Sequence, residues 1–346
     1  MTEHSTAQGQ SHQAGAATLD TSMPQRFLRI GLITIMAVYF LIAIGGVVRA
    51  SGAGMGCPDW PTCFGQWIPP TDEKQLPSNY QQMYADRGYA DTRFNPVKTW
   101  TEYLNRLLGA SIGLLIASTL LYAIPFLKRD KPVFFLSAVV FLLVGFQGWL
   151  GSMVVASNLR PVMITAHMIT AFLIVSLLIY TLTRSQKYVW AQLKLAALPN
   201  RYLSVLNLAM GMTLLQIAMG TQIRESVDVI AGSLGNDLRE VWREQFPVIF
   251  YIHRSFSSVI LITNLWLVWT LIRHHGWHSL TGRFGIGLAC LVVSAILSGV
   301  TLDRLGFPAY IQPIHLLLAN LIFGIQFFLR ISLSYVHQAA RVGLTD

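Results

Sequence analysis

The run VFFLSAVVFLLVGFQGWLGSMVVA, residues 133–156, is 24 residues long and contains no Asp, Glu, Lys or Arg. An α-helix rises about 1.5 Å per residue, so a helix of this length crosses the roughly 30 Å apolar core of a bilayer. Similar apolar segments recur along the chain, and they predict an all-α membrane protein with eight transmembrane helices. The eight predicted spans are 27–48, 100–126, 133–156, 162–183, 202–223, 247–272, 284–304 and 311–334.

The composition of the 346-residue chain also predicts membrane embedding, because 53% of it is hydrophobic and only 12% is charged. The formal net charge is +9, but the basic residues concentrate in the loops on one side of the predicted membrane. Such loops face the cytoplasm, so we expect a cell inner membrane protein with both termini in the cytoplasm and the long loop 49–99 outside. The basic excess favours contact with membrane lipid over nucleic acid.

An internal repeat relates the two halves of the chain. Asn105 and His253 are 148 residues apart, and so are His167 and His315. This spacing predicts a duplicated four-helix unit, giving two tandem four-helix bundles related by pseudo-twofold symmetry. The predicted parts are a disordered cytoplasmic tail (1–26), an N-terminal half (27–183), a cytoplasmic linker (184–201), a C-terminal half (202–334) and a cytoplasmic tail (335–346).

The four repeat-related positions lie at one depth, roughly 6–10 Å inside the outer ends of their helices. Gly151 and Gly299 share the same spacing. Ionisable side chains within membrane spans are rare and indicate a function. Two histidines facing each other in a helix bundle are typical of bis-histidine ligation of haem iron. The alternative is that each His is a hydrogen-bonded packing residue. A zinc site is disfavoured, since zinc would require more His, Cys or carboxylate ligands close together.

Several motifs resemble those of a single family. Residues 49–71 read RASGAGMGCPDWPTCFGQWIPPT, residues 102–109 read EYLNRLLG, and a His lies near the start of the fourth, sixth and eighth spans. Together they resemble the haem A synthase family over about residues 27–334. The resemblance implies an eight-helix oxidoreductase that oxidises a ring methyl group of haem O to a formyl group, giving haem A for terminal oxidases.

The resemblance also implies different roles for the two halves. The C-terminal half would hold a haem b cofactor between His253 and His315, and the N-terminal half would bind the substrate, haem O. Glu102 matches the family's catalytic carboxylate, which would take up a proton or stabilise positive charge at the reacting methyl carbon. Phe250 occupies the matching position of the C-terminal half and can do neither. The competing interpretation of Glu102 is an ion pair with Arg106.

The sequence departs from the family pattern at Asn105, where many members have a histidine. We therefore expect His167 to be the one imidazole ligand of the substrate haem iron, with Asn105 lining the substrate haem pocket. Loose ligation of this kind suits a haem that must enter, react and leave.

Four arginines lie near the outer ends of the predicted spans in repeat-matched pairs: Arg49, Arg106, Arg224 and Arg254. We expect them to bind haem propionates, because a guanidinium group pairs well with a carboxylate. The alternative is that they are ordinary interfacial arginines.

Two cysteines, Cys57 and Cys63, bracket the sequence PDWPT in the first outer loop. A disulfide is sterically easy across this turn, and an oxidising outer compartment would permit it. The family resemblance suggests that the pair is redox-active. A purely structural role, holding the loop together, is the alternative.

Two other functional classes are left open by the sequence. One is a b-type cytochrome electron carrier, and the other is a haem transporter or chaperone. Asn105 and Glu102 count against the cytochrome, which would favour matched histidine pairs in both halves. For the enzyme we expect haem O and membrane lipid as partners, with haem O synthase, an electron donor and a second copy of the chain as further candidates.

Overall fold

The computed structural model describes residues 22–193, 195, 198–235 and 239–341. Within this part of the chain, eight helices are long and apolar enough to span a membrane, as predicted. Their bounds are α1 Ser22–Ala50, α2 Pro96–Ala123, α3 Lys131–Ala156, α4 Pro161–Ser185, α5 Asn200–Leu234, α6 Val248–His275, α7 Leu280–Arg304 and α8 Ile311–Arg341. Short helical segments lie between them at Glu73–Gln75, Tyr80–Met83, Ala85–Arg87, Phe126–Arg129, Lys187–Gln192 and Arg239–Gln245.

Helix α5 continues to Leu234, whereas its apolar run predicted an end at residue 223. Ile223, Val227 and Ile230 form one buried stripe along this outer part, and they pack in a cluster with Trp242. Charged residues on the other faces of this amphipathic stretch lower its mean hydropathy. Hydropathy alone therefore ends the predicted span too early.

Three predicted connecting segments contain helix. Helix α1 begins at Ser22, inside the predicted N-terminal tail, and α8 runs to Arg341, inside the predicted C-terminal tail. The predicted linker includes the short helix Lys187–Gln192. Residues 1–21 and 342–346 of the two predicted tails lie outside the described part of the chain.

Each half of the chain forms a closed ring of four helices. Helices α1, α2, α3 and α4 contact one another in order, α4 contacts α1, and helices α5–α8 repeat this pattern. Helix α8 joins the rings, because it also contacts α1 and α4. Two four-helix units would produce these two rings. The pseudo-twofold symmetry between the rings stays a prediction, and so do the predicted bounds of the two halves.

The long loop between α1 and α2 has a hydrophobic core of its own. The disulfide between Cys57 and Cys63 is fully buried. Next to it, the ring of Phe64 packs edge-on against four other aromatic rings, those of Tyr80, Tyr84, Tyr89 and Phe94. This packing makes the loop a folded cap over the end of the N-terminal ring where α1 ends and α2 begins.

At the opposite end of the N-terminal ring, Asp130 ties three elements together. Its carboxylate, at the start of α3, lies 2.9 Å from Arg184 of α4 and 2.7 Å from Lys187 of the linker helix. Burial alone would raise the pKa of Asp130, but hydrogen bonds from Lys187 and Arg184, together with their charges, hold that pKa below its usual value. The ionised carboxylate is therefore the stable form.

Candidate functional site

His253 on α6 and His315 on α8 face each other across the C-terminal ring. Their ring centres are 6.4 Å apart, and the ring planes cross at 63°. An imidazole nitrogen binds a transition metal such as zinc at roughly 2 Å, so two imidazoles on opposite sides of one ion have ring centres about 6 Å apart. The observed spacing therefore fits one metal ion between the rings, as bis-histidine ligation of a haem iron requires.

Ser298 on α7 sets the orientation of the His315 ring. Nδ1 of His315 lies 2.8 Å from Oγ of Ser298, and that Oγ lies 2.9 Å from the carbonyl oxygen of Ala295. The carbonyl can only accept, so the Ser298 hydroxyl donates to it and accepts from Nδ1–H of His315. Nε2 of His315 is then unprotonated and able to bind a metal. Ser298 was not predicted from the sequence, although it directly precedes a glycine at the repeat spacing.

The repeat-related glycines leave room for two of the histidine rings. A Cβ atom on Gly299 would lie 3.3 Å from Cε1 of His315, and one on Gly151 would lie 3.5 Å from Cε1 of His167. Side chains larger than alanine at these two positions would therefore displace the imidazoles. Both glycines lie next to a histidine ring, and this explains why a glycine occurs at the same repeat spacing in each half.

A cavity of about 290 Å³ lies between the helices of the C-terminal ring and includes both imidazoles in its lining. Most of its wall is apolar, with Phe250 and Phe307 among the lining residues. Gly46 and Arg49 of α1 also line it, so the cavity reaches the N-terminal half. An apolar cleft with a few polar groups is the usual form of a cofactor site, and it suits a flat macrocycle.

Three of the four expected arginines, Arg49, Arg224 and Arg254, line this one cavity. Asp228 lies 2.8 Å from both Arg49 and Arg224, and Asp303 lies 3.3 Å from Arg254. The two aspartates, which the sequence analysis missed, hold the guanidinium groups in place. The spacing of Arg224 and Asp228, four residues apart on one helix, was a signal for their ion pair. The resulting cationic edge suits the anionic propionates of a haem.

Glu102 and Arg106 form a buried ion pair in the N-terminal half. Oε2 of Glu102 accepts the N–H of Cys57 at 2.8 Å, and Oε1 accepts Nε–H of Arg106 at 3.1 Å and an Nη2–H of the same residue. Arg106 also donates to the carbonyl oxygens of Cys57, Asp59 and Thr62. These contacts use all five N–H groups of the guanidinium. Arg106 therefore binds Glu102 and the disulfide loop, and its expected contact with a haem propionate stays a prediction.

The disulfide loop is held tightly against the first turns of α2. Thr99 donates its hydroxyl to the carbonyl oxygen of Gly56 at 2.8 Å. A Cβ atom on Gly56 would lie only 2.4 Å from the carbonyl oxygen of Lys98, so glycine is required at this close approach. This contact lets the next N–H, that of Cys57, reach Glu102. The disulfide is present as the sequence predicted, and its redox activity, which the family resemblance suggested, stays a prediction.

Asn105 and His167 each carry a buried polar atom that has no hydrogen-bond partner in the described part of the chain: Oδ1 of Asn105 and Nδ1 of His167. A buried polar atom without a partner costs about 1–3 kcal/mol, so binding of a polar ligand here would be favoured. Gln147 donates to the backbone carbonyl of His167 at 3.0 Å, and Gln216 makes the same contact with His253. The sequence analysis missed both glutamines.

Comparison with known proteins identifies the family of the chain. The sequence profile of the COX15-CtaA family, described as cytochrome oxidase assembly protein, matches residues 28–327. A protein named heme A synthase from Shewanella oneidensis is 33% identical over 161 residues, which cover 45% of this chain and 46% of that protein. A protein of the same name from Allorhizobium ampelinum is 29% identical over 197 residues, covering 53% of each chain.

A third heme A synthase, from Alkalihalophilus pseudofirmus, is 23% identical over 315 residues, which cover 87% of this chain and 95% of that protein. The matches to the first two relatives span only about half the length of those proteins. The family profile, in contrast, covers all eight membrane helices in whole or in part. The chain therefore belongs to the COX15-CtaA family of cytochrome oxidase assembly proteins.

Proposed function

We propose that this protein is a haem A synthase, which oxidises a ring methyl group of haem O to a formyl group and so supplies haem A to terminal oxidases. The observation that carries this proposal is the difference between repeat-matched positions. The C-terminal half has Phe250 and His253 where the N-terminal half has Glu102 and Asn105. One half thus offers a facing pair of imidazoles, and the other offers a buried carboxylate three residues before Asn105 on the same helix.

We assign a haem b cofactor to the C-terminal half. His253 and His315 would hold its iron from both sides, and the arginines at the cavity edge would bind its propionates. When bound, haem b supplies one-electron transfer. Ser298 and the Ala295 carbonyl keep the His315 ring in the tautomer and orientation that ligation needs.

We assign the substrate, haem O, to the N-terminal half. His167 would bind the iron of haem O, and Asn105 would line the pocket. Conversion of a methyl to a formyl group is a four-electron oxidation that removes two hydrogen atoms from the carbon and adds one oxygen atom, so a base that takes up a released proton near that carbon would be useful. Glu102 is our candidate for this base. Its contacts with Arg106 and Cys57 fix the orientation of the carboxylate before the substrate arrives.

The membrane placement follows from the distribution of charge. We propose that the protein lies in the cell inner membrane with both termini in the cytoplasm and the Cys57–Cys63 loop outside. Haem O synthase, as the source of the substrate, is a proposed partner, together with an electron donor and a second copy of the chain.

Pigment extraction tests the proposed function. The protein is expressed in a bacterial membrane that makes haem O but not haem A, and the extracted haems are separated by chromatography with mass detection. We expect haem A, or its hydroxylated intermediate, beside haem B. If only haem B is found despite abundant haem O, the protein is a b-type cytochrome or a haem carrier, and the proposal is wrong.

A further inference from the structure

A second cavity lies at the end of α5 and α6 opposite to the haem cavity. It measures about 520 Å³ and is formed by the first turns of α5 and the last turns of α6. Both helices leave the predicted membrane at this end, so the cavity lies at the boundary between lipid and water.

Positive charge surrounds this cavity. Arg201 of α5 and Arg273 of α6 line it and are both exposed, as is His274. In the described residues neither arginine has an acidic partner. The flanking sequences 184–201 and 273–283 contain no Asp or Glu. The cavity is therefore matched to an anionic ligand.

Aromatic side chains give the cavity a fixed wall. The guanidinium of Arg273 lies 5.3 Å from the ring centre of Trp269, in a cation–π contact. Trp266 stacks on Tyr202 with ring centres 6.5 Å apart, and Tyr202 donates its hydroxyl to the carbonyl oxygen of Leu267 at 3.1 Å. Tryptophan is typical of the headgroup level of a bilayer, because it combines an apolar ring with one donor.

Two further features indicate a lipid as the ligand. Oγ1 of Thr270, which lines the cavity, is buried and has no hydrogen-bond partner in the described part of the chain, so it is available to a polar headgroup. From Trp269 towards the membrane centre, Ile262 and Val259 continue an exposed apolar strip along α6. An acyl chain can lie along this strip while its headgroup occupies the cavity.

We propose that this cavity binds an anionic phospholipid, with Arg201 and Arg273 on the headgroup phosphate and the acyl chains along α6. Each arginine near a membrane surface contributes to anionic lipid binding, and two together are expected to change affinity by about thirtyfold. The proposed lipid site depends on membrane embedding and not on haem binding. Its test is therefore independent of the test of the proposed function.

Native mass spectrometry of the whole protein in mild detergent tests the site, with phosphatidylglycerol and phosphatidylcholine as probes. We expect the wild type to retain one phosphatidylglycerol in preference to phosphatidylcholine, also in excess inorganic phosphate. The double variant Arg201→Gln and Arg273→Gln should bind phosphatidylglycerol about thirtyfold more weakly. The matched control is Arg283→Gln, an exposed arginine at the same end of α7 that does not line the cavity.

The double variant Arg201→Lys and Arg273→Lys keeps the charge and should keep the lipid. A melting temperature like that of the wild type in every variant reports correct folding without reference to haem. Equal affinity of wild type and double variant for phosphatidylglycerol, equal binding of phosphatidylcholine, or complete displacement by inorganic phosphate would each overturn the proposal.

Discussion

Glu102 is the single side chain on which the proposed chemistry depends most directly. The Glu102→Gln variant keeps the shape of the side chain, but an amide cannot act as a base. We expect haem b to stay bound and haem A formation to fall by about 10²–10⁴-fold, the usual contribution of a general base. The measurement is the ratio of haem A to haem O in extracted pigment, with equal amounts of protein.

The control for this variant is Glu73→Gln in the loop between α1 and α2. Glu73 accepts a hydrogen bond from Tyr80 at 2.8 Å and lies outside the ion pair with Arg106. Glu73→Gln should make haem A like the wild type. Wild-type production by Glu102→Gln would show that the carboxylate is not the base.

Arg106 offers a second test, because its role depends on geometry as well as on charge. Lysine keeps the positive charge but has three donors on one nitrogen, so Arg106→Lys cannot reproduce five hydrogen bonds to Glu102 and the disulfide loop. We expect about a tenfold loss of haem A formation, since loss of one buried hydrogen bond costs on the order of 1 kcal/mol or more. Turnover at saturating haem O should fall while the haem b spectrum is unchanged.

The control is Arg93→Lys. Arg93 is an exposed arginine in the loop between α1 and α2. Its replacement by lysine should leave turnover as in the wild type. An effect of Arg106→Lys on haem O affinity alone would contradict a role in positioning Glu102. The sequence predicted the ion pair of Arg106 with Glu102 as one alternative, because four residues make one helical turn. The sequence could not predict that Arg106 also donates to three backbone carbonyls of the disulfide loop, because only the folded loop brings them close to the guanidinium.

At the scale of helices and loops, the ion pairs of Asp130 with Arg184 and Lys187 join α3, α4 and the linker helix. Because the pKa of Asp130 is lowered in the folded protein, its contribution to stability is complete above its usual pKa of about 4. That contribution is lost as the pH falls through the lowered pKa. Asp130→Asn should therefore lower the melting temperature at pH 7, with a cost of about 1–3 kcal/mol, because Arg184 and Lys187 lose their buried partner.

Melting curves of the detergent-solubilised protein at pH 7 and near pH 3 test this contribution. The difference between wild type and Asp130→Asn should shrink at the lower pH, because the contribution of the ionised carboxylate is lost progressively as the pH falls below its usual pKa towards the lowered one. Asp91→Asn, in an exposed part of the outer loop, is the control. If the difference in melting temperature did not change with pH, the contribution of Asp130 to stability would not depend on its charge.

The helices themselves were predictable because their apolar runs exceed the thickness of a bilayer. The extended end of α5 was not, since the stripe of Ile223, Val227 and Ile230 becomes apparent only when its partner Trp242 is known. The folded core of the outer loop was also missed. Its aromatic residues are scattered through a polar sequence, and their packing around Phe64 is a tertiary contact.

At the scale of the whole molecule, the repeat in the sequence predicted which residues would face each other. We predicted the facing pair of His253 and His315 from the proposed repeat and the equal depth of the two residues, and their ring centres are 6.4 Å apart. The repeat did not predict that Arg49 of α1 would line the cavity of the C-terminal half and share Asp228 with Arg224. This ion triad is partly exposed and is worth at most about 1 kcal/mol. Packing of α8 against α1 and α4 therefore contributes most to joining the halves.

Variants at one pair of repeat-matched positions test the proposal that the two halves bind different haems. His315→Ala should remove the low-spin haem b spectrum, because one of the two facing imidazoles is lost. His167→Ala should keep that spectrum and instead lose bound haem O, since its imidazole lies in the other ring. Both variants should stop haem A formation, but for different reasons. Visible spectra and extracted haem per protein distinguish them, and the same loss of haem b in both would contradict separate sites. Each substitution removes one imidazole that lies next to a glycine at the same spacing. Within the described residues, only His315→Ala also removes a side-chain hydrogen bond, that to Ser298, so which haem is lost reports the function of each half.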